Sequence, residues 1–126
     1  MRHLLMAALT TVSIASAAES LSEEEKGMAA YREANAITMV LRLYALDHGN
    51  YPSEEQGLAV LASGSASPQG AYLKRVPIDP WGRNYAYVAH PSCSYAFSLG
   101  ADGKIGGNGY DADIYPYGMP CEAPNN

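Results

Sequence analysis

A long amphipathic helix with a clear start and a clear stop is the feature that most constrains the fold of this chain. Ser22 and the three glutamates that end at Glu25 form a capping box at its start. Apolar residues then recur at three- and four-residue spacing, as on one buried helical face: Ile37, Val40, Leu41 and Tyr44. Gly49 is a C-terminal stop signal, and Pro52 prevents continuation. The sequence therefore predicts a helix over residues 23–48, about 40 Å long.

A second capping signature follows this helix. Ser53 and Gln56 are spaced like the serine and the glutamate or glutamine of a capping box. We therefore expect a short helix over residues 53–62 that turns Leu58 and Leu61 inward.

A hairpin is predicted next along the chain. Residues 85–89 and 94–99 have the alternating pattern of half-buried strands. His90, Pro91 and Ser92 lie between these two runs and predict the turn. One face of the second strand should carry three apolar side chains: Tyr95, Phe97 and Leu99. A long N-terminal helix packed on a small antiparallel sheet is an α+β fold.

Glycine and aspartate dominate the segment that follows, residues 97–114. It contains three aspartates, Asp102, Asp111 and Asp113, among five glycines. Glycine allows the positive-φ conformations of a tightly curled backbone, and Ca²⁺ prefers six to eight oxygen ligands. A solvated turn whose aspartates cap local amides would have the same composition. The composition therefore leaves two interpretations open, a calcium loop and a capped turn.

The N-terminus predicts export. Residues 1–17 combine an early arginine, a short apolar run and small residues before a cleavage point after Ala17. The apolar run is shorter than the roughly 20 residues that span a bilayer. We therefore expect a cleavable signal peptide at 1–17 and a mature domain at 18–126 that is periplasmic or secreted and does not stably span a membrane.

Export gives the two cysteines an interpretation. Cys93 and Cys121 are the only cysteines, and paired cysteines are common in oxidising compartments. We predict a disulfide bond between them that fastens the proline-rich tail to the sheet. A catalytic thiol is the alternative, but no histidine stands in a recognisable partner motif.

Several classes of function are disfavoured by charge and motif content. The chain has 13 acidic and 8 basic residues and a formal net charge of −5, which argues against nucleic acid as a partner. It has no nucleophile elbow and no phosphate-binding loop. We therefore expect neither an enzyme nor a protein that binds a small-molecule substrate.

Six ordered sequence blocks carry a family resemblance. They are LYALDHGNYP at residues 43–52, EQGL at 55–58, YLKR at 72–75, PIDPWG at 77–82, FSLGADG at 97–103 and DADI at 111–114. In this order and spacing the chain resembles the major, G-type pseudopilin of the type II secretion system. The resemblance covers about two-thirds of the chain.

The resemblance implies a pilin-like fold with a calcium site after the hairpin. Matched residue by residue, Asp102 and Asp113 correspond to the family's calcium-binding aspartates, and Asp111 is the second late carboxylate. Backbone carbonyl oxygens of Leu99 and Lys104 would complete the shell. The implied function is non-enzymatic: a calcium-binding component or accessory of type II protein secretion that contacts other pseudopilins or secretion components.

The start of the chain differs from the family pattern. Pseudopilins begin with a basic leader, a processing glycine and a long apolar helix, whereas residues 18–33 here are acidic and polar. We therefore expect a pseudopilin-like soluble domain behind an export signal. The alternative is a freestanding secreted binding module that uses this scaffold to present tyrosines to a partner: Tyr110, Tyr115 and Tyr117.

Overall fold

The computed structural model of the protein describes residues 20–118, and its longest element is a helix, α1, at Glu23–His48. A 3₁₀ helix follows at Leu58–Ala62, then strands β1 at Ala86–Val88 and β2 at Tyr95–Phe97, and a short 3₁₀ turn at Gly109–Asp111. No helix in the described part of the chain is both long and apolar enough to cross a membrane. The predicted signal peptide, residues 1–17, and Cys121 lie outside the described residues.

Both ends of α1 are set by local hydrogen bonds, and the predicted helix over residues 23–48 is confirmed. The Ser22 hydroxyl accepts the N–H of Glu25 at 3.2 Å, which satisfies one of the amides without a partner in the first turn. At the other end Gly49 adopts φ 79° and donates its N–H to Ala45 O at 2.8 Å. A left-handed residue at this point is what glycine allows at least cost.

The segment after α1 only partly follows the prediction. Ser53 and Gln56 do exchange reciprocal side-chain-to-backbone hydrogen bonds, at 2.9 and 3.1 Å. The predicted helix over residues 53–62 is wrong in type, because residues 54–57 form turns and a 3₁₀ helix begins only at Leu58. Gly57, at φ 57° and ψ −161°, interrupts any regular helix there. Leu58 and Leu61 are buried as expected.

The sheet is a two-stranded antiparallel hairpin. Ala86 pairs with Phe97 and Val88 with Tyr95, so both strands are shorter than the predicted runs. Beyond β2 an isolated antiparallel bridge joins Ser98 to Ile114, with N–H to O distances of 3.1 and 2.8 Å. This bridge brings the end of the glycine- and aspartate-rich segment back against the end of β2.

Apolar side chains pack in two clusters. The larger cluster lies between α1, the Leu58–Ala62 helix and the hairpin, and its buried members are Ala34, Ile37, Leu41, Tyr44, Leu58, Leu61, Tyr85 and Ala96. The second contains Cys93, Tyr95 and Phe97, with Leu99 and Tyr115 packed against it. Tyr95, Phe97 and Leu99 therefore share a cluster, as their alternation predicts.

The first turns of α1 are part of the fold. Their polar sequence suggests that they project away from the core, but Ala30 is fully buried. Trp81 donates its indole N–H to Glu23 Oε2 at 2.9 Å and so joins the helix start to the turn before β1. This hydrogen bond, followed by one from Lys26, lowers the pKa of the Glu23 carboxyl. The indole partner could not be foreseen because it lies 58 residues further along the chain.

Candidate functional site

The predicted calcium segment forms a folded loop, residues 99–113, referred to below as the glycine–aspartate loop. All five of its glycines adopt positive φ, between 58° and 92°: Gly100, Gly103, Gly106, Gly107 and Gly109. This left-handed backbone disfavours other residues. The curling that the composition predicted is therefore present.

Two of these glycines also allow a close approach of backbone to backbone. A Cβ atom on Gly100 would lie 2.5 Å from Ala112 O and 2.8 Å from Asp111 O. A Cβ on Gly107 would lie 2.7 Å from the same Asp111 oxygen. The outgoing arm, near residue 100, and the returning arm, near residue 112, therefore touch at a point where no side chain fits.

Asp113 lies where the returning arm meets the outgoing one. Its Oδ2 atom accepts the N–H of Gly106 at 2.9 Å and the hydroxyl of Tyr115 at 3.0 Å. Its Oδ1 atom is buried and has no hydrogen-bond partner. A buried carboxylate oxygen without a partner is costly. This atom needs a donor or a cation.

The other predicted carboxylates are in different settings. Asp102 is half-buried, and its Oδ1 accepts the N–H of Lys104 at 3.0 Å, which is the local capping contact of a turn. Asp111 is exposed and ends the 3₁₀ turn, and its backbone oxygen lies against the two glycines described above. Leu99 is half-buried against the second apolar cluster, and Lys104 is exposed.

Side chains alone do not form a metal cluster in the described part of the chain. Within residues 20–118, no three histidine, cysteine, aspartate or glutamate side chains are grouped so that they could hold an ion. A site here would therefore need backbone oxygens as well, and calcium accepts such mixed ligand sets. The ligand set Asp102, Asp111, Asp113, Leu99 and Lys104 stays a prediction.

Asp79 contacts the residue that leads into the loop, and the sequence analysis did not single it out. The side chain is 3 % exposed. Its Oδ1 accepts the N–H groups of Trp81 at 3.0 Å and Arg83 at 2.8 Å, and its Oδ2 accepts the Ser98 hydroxyl at 3.0 Å. The available signal for such a turn was an aspartate that lies between Pro77 and Pro80, because aspartate side chains accept hydrogen bonds from backbone N–H groups two residues further on.

The tyrosines near the loop have different roles. Tyr115 stacks on Phe97 with ring centroids 4.9 Å apart and donates its hydroxyl to Asp113. Burial, followed by this hydrogen bond, raises the pKa of Tyr115 to about 12. It is therefore a packing residue and not the presented side chain that the binding-module hypothesis assumed. Tyr110 and Tyr117 are 59 % and 83 % exposed.

A pocket of about 290 Å³ is lined by residues of both the loop and the start of α1. Its walls include Glu23, Met28, Trp81, Tyr110 and Ile114. Trp81 thus lines the same pocket as residues of the helix start and of the 3₁₀ turn that ends at Asp111.

A family of known proteins matches most of this chain. The sequence model described as "Type II secretion system (T2SS), protein G" matches residues 18–117. The type II secretion system core protein G of Pseudomonas aeruginosa is 42 % identical over 105 residues, which cover 75 % of this chain and 73 % of that protein. The Vibrio cholerae core protein G is 40 % identical over 87 residues, covering 63 % of this chain and 60 % of that protein.

A solved structure shows the same fold. The crystal structure of the major pseudopilin from the type 2 secretion system of enterohaemorrhagic Escherichia coli aligns with a TM-score of 0.59 at 32 % sequence identity. The alignment covers 73 % of this chain and 82 % of that one. The long helix on a small antiparallel sheet is thus the fold of a pseudopilin.

Proposed function

The chain belongs to the type II secretion system protein G family, and from this membership we propose that it is a non-enzymatic component of that system whose glycine–aspartate loop binds one calcium ion. The proposed location is the periplasm, and the proposed partners are other pseudopilins or secretion-system components. Family membership supports the assignment to type II secretion, and the glycine–aspartate loop supports the proposal that the chain binds calcium.

One observation carries the calcium part of the proposal. Asp113 Oδ1 is a buried carboxylate oxygen without a hydrogen-bond partner, while the other oxygen of the same side chain has two. A calcium ion is attracted by such an oxygen and tolerates neighbouring backbone carbonyls and water as further ligands. Of the ions that proteins commonly bind, this oxygen-only environment suits calcium or magnesium better than zinc.

The proposed ligands are Asp113, Asp102 and Asp111, with carbonyl oxygens of Leu99 and Lys104. The ion would supply positive charge between carboxylates that otherwise repel and would link the two arms of the loop. The chain's own task is to keep both arms curled, and the positive-φ glycines do this. Magnesium demands a stricter octahedral geometry, so calcium is the better candidate for a glycine-rich loop.

A thermal melt tests the calcium claim. Divalent ions are first removed from the protein with a chelator. Melting curves are then recorded in three separate conditions: with chelator, with added calcium and with added magnesium. Ligand linkage predicts about 2.7 kcal/mol of added stability at a hundredfold calcium excess over Kd, and magnesium should add less. Identical melting curves in chelator and in calcium would remove calcium from the proposal.

A separate experiment tests the assignment to secretion. Tagged full-length chain should co-purify with defined pseudopilins of a type II secretion system when they are produced together. The control is the same mixture with an unrelated tagged periplasmic protein. If the protein is found free in the culture medium and binds none of the pseudopilins, the freestanding binding module is favoured instead.

A further inference from the structure

Arg83 reaches from the turn before β1 to the outgoing arm of the glycine–aspartate loop. Its Nη1 donates to the backbone oxygens of Gly100 and Ala101, both at 3.2 Å. A Cβ atom on Gly103 would lie 2.4 Å from Arg83 Nε and 2.7 Å from Cζ. The guanidinium is therefore in contact with residues 100–103, and Gly103 leaves room for it.

The donors of Arg83 go to main-chain oxygens. Within residues 20–118, the salt bridge joins Lys26 to Glu23 at 3.1 Å, and Arg83 forms none with a carboxylate of this part of the chain. Both bonds come from one nitrogen, Nη1, whose two N–H donors are held in the plane of the guanidinium. Here the two acceptors are consecutive carbonyls of the loop, so the contact fixes backbone direction.

Asp79 holds Arg83 and the loop in one network. Its carboxylate accepts hydrogen bonds from the backbone N–H of Arg83 at 2.8 Å and from the Ser98 hydroxyl at 3.0 Å. The Ser98 oxygen in turn accepts the Gly100 N–H at 3.1 Å. Gly100 is therefore held at its N–H through Ser98 and at its carbonyl by Arg83.

The fixed position of Gly100 also positions the returning arm. Gly100 is buried, and its α-carbon lies against the backbone of Asp111 and Ala112. Ala101 adds a hydrogen bond from its N–H to Tyr110 O at 2.9 Å. Contacts that fix the backbone of residues 100 and 101 therefore also restrict the returning arm, which ends at Asp113.

We propose that Arg83 is a positioning residue for the calcium site: it holds the outgoing arm in its binding conformation before the ion arrives. The proposal rests on the calcium function proposed above. Arg83 occupies the carbonyls of Gly100 and Ala101 and leaves those of the predicted ligands, Leu99 and Lys104, to the ion. Ordering the loop in advance lowers the entropy that binding would otherwise cost.

Electrostatics alone predicts the opposite sign. A fixed positive charge near a calcium ion repels it, so removal of the charge would tighten binding if repulsion dominated. Two substitutions separate the effects. Arg83→Lys keeps the charge but replaces the planar guanidinium by a compact ammonium, whereas Arg83→Met removes both the charge and the donors. Arg42→Met, on an exposed position of α1, is the matched control.

Calcium titration calorimetry and amide hydrogen exchange in chelator are measured for all four proteins. Loss of a residue that orients ligands typically costs 10- to 100-fold in metal affinity. We expect both Arg83 variants to bind calcium about tenfold more weakly and to exchange the Ala101 and Gly106 amides faster in chelator. Arg42→Met should match the wild type, and α1 amides should be unchanged in every variant, which verifies folding.

The outcomes separate the two proposals. Wild-type protein that binds no calcium overturns the calcium function and with it the role of Arg83. Wild-type binding with equal or tighter binding by both Arg83 variants overturns only the role of Arg83. Weaker binding by Arg83→Lys, whose charge is unchanged, supports positioning. If Arg83→Met does not fold, this lysine comparison still decides.

Discussion

At the scale of single residues, Asp113 is the most informative side chain. One of its oxygens has two donors and the other is buried without any. Such an imbalance within one carboxylate costs stability unless a donor or a cation completes it. The sequence predicted this aspartate from its place in the DADI block. The burial of one oxygen could not be predicted, because it depends on how Gly106 and Tyr115 pack around it.

Asp113→Asn should have opposite effects with and without calcium. An asparagine oxygen can still accept from Gly106 and Tyr115, and its amide takes the place of the buried anionic oxygen. In chelator we expect stability equal to or up to about 1 kcal/mol above the wild type, because a buried charge is removed. In calcium the variant should gain nothing on addition of the ion. Paired thermal melts measure both effects.

Glu54→Gln removes one negative charge from an exposed site away from the loop and is the control for net charge. Its calcium response should equal that of the wild type. If Asp113→Asn kept the full calcium response, Asp113 would not be a ligand.

Tyr85 links the larger core cluster to a carboxylate on α1. Its hydroxyl donates to Glu33 Oε2, and burial, followed by this hydrogen bond, raises its pKa above the ordinary value of 10.0. A raised folded-state pKa means that this contribution to stability is complete below pH 10 and is lost at higher pH, as the unfolded tyrosine ionises first. The free energy of unfolding should therefore fall above pH 10.

Tyr85→Phe should lose about 1 kcal/mol at neutral pH, since a partly buried side-chain hydrogen bond is removed. Its stability should also fall less steeply above pH 10. Denaturant unfolding at several pH values measures both effects. Tyr117→Phe, at an 83 % exposed position, should change neither value. An unchanged slope in Tyr85→Phe would contradict this account.

At the scale of elements, α1 was predictable because both of its ends depend on adjacent residues. Ser22, Glu25 and Gly49 act within one turn of the helix, so their pattern carries the information. The segment after it was mispredicted because the same capping signals were followed by Gly57, whose conformation ends the regular helix. Strand ends were also less predictable, since the long loop after β2 takes over the pairing at Ser98.

Two leucines of α1 provide a matched test of its buried face. Leu41 is fully buried, whereas Leu46 is 81 % exposed on the same helix. Leu41→Ala should cost about 2–5 kcal/mol because it leaves a cavity, and Leu46→Ala should change stability by less than about 0.5 kcal/mol. Urea unfolding of the two variants measures the difference. Similar costs would mean that the helix packs by a different face.

The glycine–aspartate loop can be tested in the same paired way. Gly49 and Gly100 have similar φ values, 79° and 71°, but a Cβ has open space at Gly49 and meets Ala112 O at 2.5 Å at Gly100. Gly49→Ala should cost about 1–2 kcal/mol from backbone strain. Gly100→Ala should cost about 3 kcal/mol or more because the clash is added. Equal losses in denaturant unfolding would show that the two arms are not in contact.

At the scale of the whole molecule, the glycines and aspartates of the loop were evident from sequence, but its support was not. Arg83 lies 17 residues before Gly100, and Asp79 lies 19 residues before Ser98, which leads into the loop. No spacing rule links either residue to the loop. Contacts of this kind form because the hairpin brings the chain after β2 back beside the turn before β1, so only the assembled fold reveals them.

The predicted disulfide would close a loop across the C-terminal part of the chain. Cys93 is 2 % exposed and belongs to the second apolar cluster, and its predicted partner, Cys121, lies outside the described residues. Mass spectrometry should show a gain of two hydrogens on reduction, and reduction should cost roughly 3–4 kcal/mol in the chain-entropy model. Two thiols that react with an alkylating agent in the native, unreduced protein would refute the pairing.

Trp81 is the only tryptophan of the chain. Its indole is tied to Glu23 and lines the same pocket as Tyr110 of the loop. The tryptophan fluorescence of the protein is consequently emitted from a single point beside the candidate site. A spectroscopist can therefore follow the surroundings of this loop in the unlabelled molecule, without attaching a dye.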